Sequence, residues 1–349
     1  MEVNLMKRMV VALAASVAAL VAAAPVMAQT KIVIGAVPSP TAIGTYIAID
    51  KGYFKDVGIE VDLEKADSAG AAMPLLASGR LNVVEGGLAA SYWNALAQGL
   101  PVIMAMERGS SPLNHSLLIR AELKDKIKTV ADLKGRTMAQ VSPDGIQQYE
   151  AGKALETGGL HVKDVEQRFI PYTQLIIAFQ NGAVDAGMSI PPFSDIIQQK
   201  GLGVVLVDMD KVIRPEPMAN VAYVTNSDWT KKNPDIAHKV FVALARGARD
   251  YCQAYHGGAN REYVINLMLE KKVATRELLE TRPWAARDPN GRLNEASVLD
   301  IQDWFFKEGM VKQKFPAERL IDSSFANEAS KELGPFVLEN KTSQLPGCR

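Results

Sequence analysis

The stretch AVPSPTAIGTYIAIDKGYF, Ala36 to Phe54, decides how the chain is read. An apolar run stops at a Ser-Pro-Thr corner and restarts as an amphipathic segment that ends in Lys-Gly-Tyr-Phe. Upstream, KIVIGAV (Lys31 to Val37) predicts a buried strand. Pro40 sits where the first turn of a helix tolerates proline, with Ser39 or Thr41 available as cap. Gly52 then closes that helix in the left-handed conformation. Downstream, IEVDL (Ile59 to Leu63) predicts a second strand. DSAGAAMPLLASG predicts a helix entered through Asp67, Ser68 and Gly70 and ended by Gly79, and LNVVEGG (Leu81 to Gly87) a third strand that runs into a glycine loop. Strand, helix, strand, helix, strand at this spacing predicts an α/β unit with a parallel sheet, whose ligand loops lie at the carboxyl ends of its strands.

The corner recurs. RTMAQVSPDGIQQYEAGKALE runs from an apolar strand through Ser142-Pro143-Asp144 into a helix, and Ser142 lies 103 positions after Ser39. LLASGRLNVVEGG is echoed by AFQNGAVDAGMSI, and Gly182 lies 103 positions after Gly79. One shared offset predicts two lobes on one plan, although the intervening strands align only with a gap. A cleft between such lobes collects helix N-termini from both sides, whose free N–H groups and dipoles suit a small ligand with an anionic or strongly accepting group. Binding of that kind requires no catalytic group.

Composition bounds the function. Lys7 and Arg8 precede an apolar run, Met9 to Ala24, followed by Pro25 and a small-residue pattern, the order of a secretory signal peptide with cleavage expected after Ala28. Removing residues 1–28 leaves 37 basic and 38 acidic residues of the original 39 and 39. Such balance gives no general attraction to nucleic acid or anionic membrane, and no nucleic-acid partner is expected. The remaining 321 residues exceed a usual single core. Of the two cysteines, Cys252 falls on the apolar face of a predicted helix and is read as a buried free thiol, while Cys348 falls in a polar segment, 341–349, read as a solvated tail. His115, His161, His238 and His256 show no metal-ligand spacing, and no nucleophile elbow or phosphate loop is present. No catalytic residue, metal or cofactor is therefore expected.

The ordered segments GTYIAIDKGYFKDVGIEVDL, LLASGRLNVVEGG, AQGLPV, VADLKGRTMAQV, FQNGAVDAGMSIPP and TNSDWTKKNPDIAHKVF resemble the substrate-binding proteins of ABC importers in the nitrate, sulfonate, taurine and thiamine-pyrimidine group. The resemblance implies an α/β, two-lobed type II periplasmic binding protein fold, each lobe a mostly parallel sheet flanked by helices, with two crossover strands near Met106 to Pro112 and Pro217 to Val224. It implies lobe 1 from 29–108 and 218–340, with the late helices returning to it, and lobe 2 from 109–217. It further implies a monomeric, periplasmic protein that presents a small solute (sulfonate, carboxylate, nitrate or pyrimidine) to an ABC permease and its ATPase subunit. Two alternatives share the fold, a periplasmic ligand sensor and a pyrimidine-biosynthesis enzyme. The enzyme branch carries a cysteine-rich CCCFC motif that this chain lacks.

Transferred to this sequence, the ligand-binding positions are Ser39, Thr41, Ser68, Gly70, Glu85 and Gly86 from one lobe, and Ser142, Asp144, Gly145, Tyr172 and Ser189 from the other. Several of the hydroxyls and Asp144 would serve equally as helix caps, and Tyr172 as an interior aromatic. Trp93 is read as core. Glu85 and Asp144 would repel an anion if they faced the ligand unpaired, and would favour a solute rich in N–H donors. Arg108 and His115 flank the first crossover as candidate cations, with surface positions expected for both.

Overall fold

The apolar runs of the sequence become two five-stranded sheets in the computed structural model, which describes residues 29–37, 39–66 and 68–349. The leader 1–28, with its expected cleavage point, and the cap candidate Asp67 lie outside the described residues. The strands are β1 Thr30–Ala36, β2 Ile59–Lys65, β3 Val83–Gly87, β4 Val102–Ser110, β5 Ser116–Arg120, β6 Thr137–Gln140, β7 Glu166–Phe169, β8 Ala186–Ser189, β9 Gly203–Asp208 and β10 Ala219–Asn226. One sheet has the order β2-β1-β3-β10-β4 and the other β7-β6-β8-β5-β9.

The two orders are the same plan. β1 pairs in parallel with β2 and β3, as β6 does with β7 and β8. The fourth strand of each order, β10 or β5, runs antiparallel to both its neighbours. The 103-residue offset is structural: helices Ala69–Ala77 and Tyr172–Gln180 begin and end 103 positions apart, as do the first residues of β3 and β8. The gap has a place too, because β2 has seven residues and β7 four.

Burial explains why these segments take these positions. Ile32 and Ile34 of β1 are enclosed with Val83 of β3 and with Phe241 and Leu244 of helix Pro234–Tyr255. That helix lies so close to helix Ile43–Asp50 that a Cβ on Gly247 would come within 2.2 Å of the Gly44 carbonyl oxygen. Gly52 has φ 74°, the left-handed value a helix-ending glycine supplies at little cost.

The chain passes between the sheets twice, after β4 through Ser111–His115 and before β10 through Ile213–Met218. The first passage is tied down by the Asp210 carboxylate, which accepts from Leu113 N–H at 2.9 Å and Asn114 N–H at 2.8 Å.

One expectation is extended here and one is corrected. Helix Glu295–Lys307 does not return to one lobe alone: Phe305 packs on Trp93 at 5.6 Å between ring centroids, and Trp304 on Tyr149 at 5.8 Å. Asp300 on the same helix accepts from the Tyr149 hydroxyl at 2.7 Å, so this helix straps both lobes. The segment 341–349 is not simply a solvated tail, because Cys348 is buried against helix Pro234–Tyr255, within the cluster that holds Cys252. Burial of an apolar thiol and nearby backbone hydrogen bonds outweigh the polarity of its neighbours in sequence.

Candidate functional site

The carboxyl ends of β1, β3, β6 and β8 open on one cavity of about 270 Å³ between the sheets. Ser39, Thr41, Ser68 and Gly70 line it from one side, and Ser142, Asp144, Gly145 and Tyr172 from the other. A third wall, from Met268 to Ala285, adds Val273, Leu278, Leu279 and Trp284, so most of the surface is apolar or aromatic.

The Ser-Pro-Thr corner is more than a cap. Ser39 has the extended backbone of an N-cap before the short turn Pro40–Ala42, yet its hydroxyl caps no backbone N–H. It sits 3.0 Å from Thr41 Oγ1 instead, and both oxygens accept from Arg108 Nη2, at 2.8 and 3.0 Å. Arg108 lines the cavity at only 2% exposure. Its Nη1 lies 3.2 Å from Glu85 Oε1, and the other Glu85 oxygen accepts from the Thr45 hydroxyl. Glu85 is thus inside the lobe behind Arg108 and neutralises it, rather than facing a solute. A charge pair this deeply buried is retained only with such hydrogen bonding, and removing one partner typically costs about 3–5 kcal/mol.

The second corner is built differently. Helix Ile146–Glu156 starts three residues after Pro143, with Gly145 as its N-cap, and Ser142 donates to the Asp144 carboxylate rather than capping the helix. Asp144 meets the other lobe through its backbone, its carbonyl accepting from Ala90 N–H at 2.9 Å. By contrast, Ser68 caps its helix directly, accepting from Ala71 N–H at 3.1 Å. Tyr172 stacks on Phe193 at 5.5 Å with the rings 16° apart. Its hydroxyl lies beside Gln147 without an aligned hydrogen bond, and burial, aided by the negative Glu150, pushes the phenol well above its ordinary pKa.

Three of the expected positions, Glu85, Gly86 and Ser189, do not line the cavity. Gly86 instead allows close packing, since a Cβ there would meet the Ala69 Cβ at 2.8 Å. Ser189 is fully buried in β8, and its hydroxyl has no hydrogen-bond partner among the described residues.

The surface expectation for Arg108 and His115 is overturned. His115 is buried at the cavity wall, its Nδ1 2.8 Å from Glu150 Oε1. Burial is the largest influence on His115 and favours the neutral ring, but the charge and hydrogen bond of Glu150, with Asp210, outweigh it and raise the pKa. Trp284 in the third wall and Tyr251 beside it were not anticipated, because nothing local ties the segment around Trp284 to strand ends that precede it by 95 residues or more. Opposite them, Asp195 and Arg282 form an ion pair at 3.2 Å along the cavity. Among the described residues no group of three or more His, Cys, Asp or Glu is placed to hold a metal ion.

This architecture is shared with solved proteins. The periplasmic aliphatic sulphonate binding protein SsuA from Escherichia coli superposes with a TM-score of 0.66 at 19% identity, over 85% of this chain and 92% of that one. The periplasmic nitrate-binding protein NrtA from Synechocystis PCC 6803 gives 0.67 at 15% identity, over 87% and 89%. In sequence, the 4-amino-5-hydroxymethyl-2-methylpyrimidine phosphate synthase THI13 of Saccharomyces cerevisiae is 24% identical over 249 residues, 65% of this chain and 68% of the yeast protein. The NMT1/THI5 like family model matches residues 39–254, from the first corner through the helix that carries Cys252. With more than half of its length matched and the two-lobed fold of these binding proteins, the chain belongs to the NMT1/THI5-like family.

Proposed function

We propose that the chain is the extracytoplasmic solute-binding protein of an ABC importer, which takes a small organic solute into the cavity between its lobes and delivers it to a permease and its ATPase subunit. The observation that carries this reading is Arg108: a buried guanidinium on the wall of a mostly apolar and aromatic cavity, presented with the Ser39 and Thr41 hydroxyls. The arrangement favours a solute with an accepting group, carboxylate, sulfonate or pyrimidine nitrogen, at the Arg108 end and a ring or short aliphatic body beside Tyr172 and Trp284. Because Glu85 offsets the charge of Arg108, a bare inorganic anion such as nitrate is less favoured than an amphiphilic molecule. The expected signal peptide, a periplasmic location and a monomeric state belong to this reading, as do lobe limits at 29–108 with 218–340 and at 109–217.

The yeast relatives are named as synthases, which makes an enzyme the rival reading. Against it, Cys252 and Cys348 are the only cysteines, and neither lines the cavity.

The test is a thermal-shift screen of chain residues 29–349, unfolded and refolded to strip carried-over ligand, against aromatic and aliphatic carboxylates, sulfonates, nitrate and pyrimidines. A ligand at a hundred times its Kd adds about 2.7 kcal/mol of stability. One class should give a saturable shift with one-to-one binding. The paired variant Arg108→Gln with Glu85→Gln, which leaves no lone buried charge, should weaken that binding at least about tenfold. Multiple turnover of the bound molecule would overturn the binding-protein reading, and unchanged affinity in the paired variant would remove Arg108 from the site.

A further inference from the structure

The two cysteines lie far apart in sequence and together in space. Cys252 is in the last turn of helix Pro234–Tyr255, and its thiol approaches the Arg287 carbonyl oxygen at 3.9 Å. The Cys348 backbone N–H donates to that same carbonyl at 3.1 Å. Both residues are at most 1% exposed and share one hydrophobic cluster, and the structure holds both as free thiols.

The segment that carries Cys348 is held in place from several directions. The Tyr255 hydroxyl donates to the Pro346 carbonyl at 2.6 Å, and His256 Nε2 lies 3.1 and 3.2 Å from the Gly347 and Cys348 carbonyl oxygens. Gly347 has φ 79° and sits where a Cβ would come within 2.4 Å of the Ala286 Cβ, so both its conformation and its packing require glycine. Cys348 itself has φ 56°, a left-handed backbone that a side-chain-bearing residue adopts only when its surroundings impose it.

We propose that Cys252 and Cys348 form an intramolecular disulfide that fastens the segment 346–349 beneath the cavity wall. The chemistry is exchange with a disulfide-bearing oxidant. The thiolate of Cys348 attacks the oxidant's S–S bond, forms a mixed disulfide and releases one thiol. The Cys252 thiolate then attacks the Cys348 sulfur and expels the second thiol. The protein loses two electrons and two protons, and the oxidant becomes two thiols. The link closes a loop of nearly a hundred residues, the range in which a cross-link most restricts the unfolded chain. The wall it anchors is functional in position: the Arg287 guanidinium stacks 3.7 Å above the Tyr251 ring, which lines the cavity, and donates to the Thr41 carbonyl at 3.1 Å.

This inference is independent of which solute binds. The full chain should be refolded with a glutathione and glutathione-disulfide mixture, alkylated under denaturing conditions without reductant, and digested with trypsin. The expected product is one species joining peptides 250–261 and 342–349, two hydrogens lighter than their sum, with no alkylated cysteine. Reductant should lower the melting temperature of the wild type by on the order of 5–10 °C. It should leave Cys348→Ser and Cys252→Ser unmoved, so one poorly folding variant does not remove the control. Two alkylated cysteines per chain, or disulfide-linked dimers on a non-reducing gel, would overturn the proposal.

Discussion

Glu107 shows how a single buried group sets a property of the whole chain. It lies on β4 beside Arg108, is 2% exposed, and accepts from Asp288 N–H at 3.1 Å. Burial, reinforced by the neighbouring Asp288 carboxylate, raises its pKa to about 8. The unfolded chain releases this proton in the ordinary carboxylate range, whereas the folded chain holds it to about pH 8. Between those values the folded state binds more protons, so the stability this group contributes is full below the ordinary carboxylate range and is lost as pH rises toward about 8. Urea denaturation at pH 5 and pH 8.5 should show a loss on the order of 2–4 kcal/mol, and Glu107→Gln should remove most of that slope while preserving an acceptor for Asp288. An unchanged slope in the variant would mean that Glu107 ionises without penalty. The same kind of residue shows where the sequence stops being legible. Arg108 on β4 and Glu85 on β3 are separated by β10 in the sheet, and His115, just before β5, finds Glu150 on helix Ile146–Glu156, 35 positions later. No local spacing announces either pair, so a charge in the sequence reads as a surface charge until the sheets bring its partner to it.

Elements were more legible than their partners. Gly79 and Gly182 mark helix ends that the structure places where the shared offset requires, because left-handed closure by glycine is a local property. The start of helix Ile146–Glu156 was less so: Ser142 and Asp144 satisfy each other, which frees the backbone to begin the helix later, at Gly145. Helix Glu295–Lys307 came only with the late helices that the family resemblance implies, and its buried stripe of Val298, Ile301, Trp304 and Phe305 does not say which surface covers it. The contact it makes with helix Ile146–Glu156 depends on Gly152, where a Cβ would lie 2.0 Å from Trp304 Cζ2. Gly152→Ala sets two effects against each other. Alanine gains up to about 1 kcal/mol in helix propensity, while overpacking a buried contact costs roughly 1–3 kcal/mol. With the indole itself enclosed, the clash should prevail and the variant should be less stable. Combining it with Trp304→Leu should give less than the sum of the two losses, since the leucine removes the ring atoms that the alanine methyl would meet. Additive losses in the denaturation cycle would show that the glycine and the indole act separately.

Across the whole molecule, polar links join the two walls of the cleft, and one of them is the Asp195–Arg282 ion pair. Asp195 comes from helix Phe193–Gln199, against the sheet that contains β5 and β9, and Arg282 follows helix Arg276–Thr281 on the opposite side of the cavity. The Arg282 side chain is 47% exposed and that of Asp195 10%, so the pair is screened on one side only. Burial raises the Asp195 pKa and the Arg282 charge opposes that rise, so the guanidinium offsets part of the cost of burying the carboxylate. Arg282→Gln should therefore shift the lobes toward separation by a factor of roughly 2–10, the equivalent of about 0.5–1.4 kcal/mol for a half-exposed pair. Two readouts require no ligand. Hydrogen exchange at the Ala90 amide, which donates across the cavity mouth to the Asp144 carbonyl, should accelerate by that factor, and small-angle scattering should give a larger radius of gyration. Adding Asp195→Asn, which removes the uncompensated charge, should restore much of the wild-type exchange rate. If Arg282→Gln left both the Ala90 amide and the radius unchanged, closure would rest on the other links, among them the Trp93, Tyr149, Trp304 and Phe305 packing and the Tyr149–Asp300 hydrogen bond, and the ion pair would have no part in holding the lobes together.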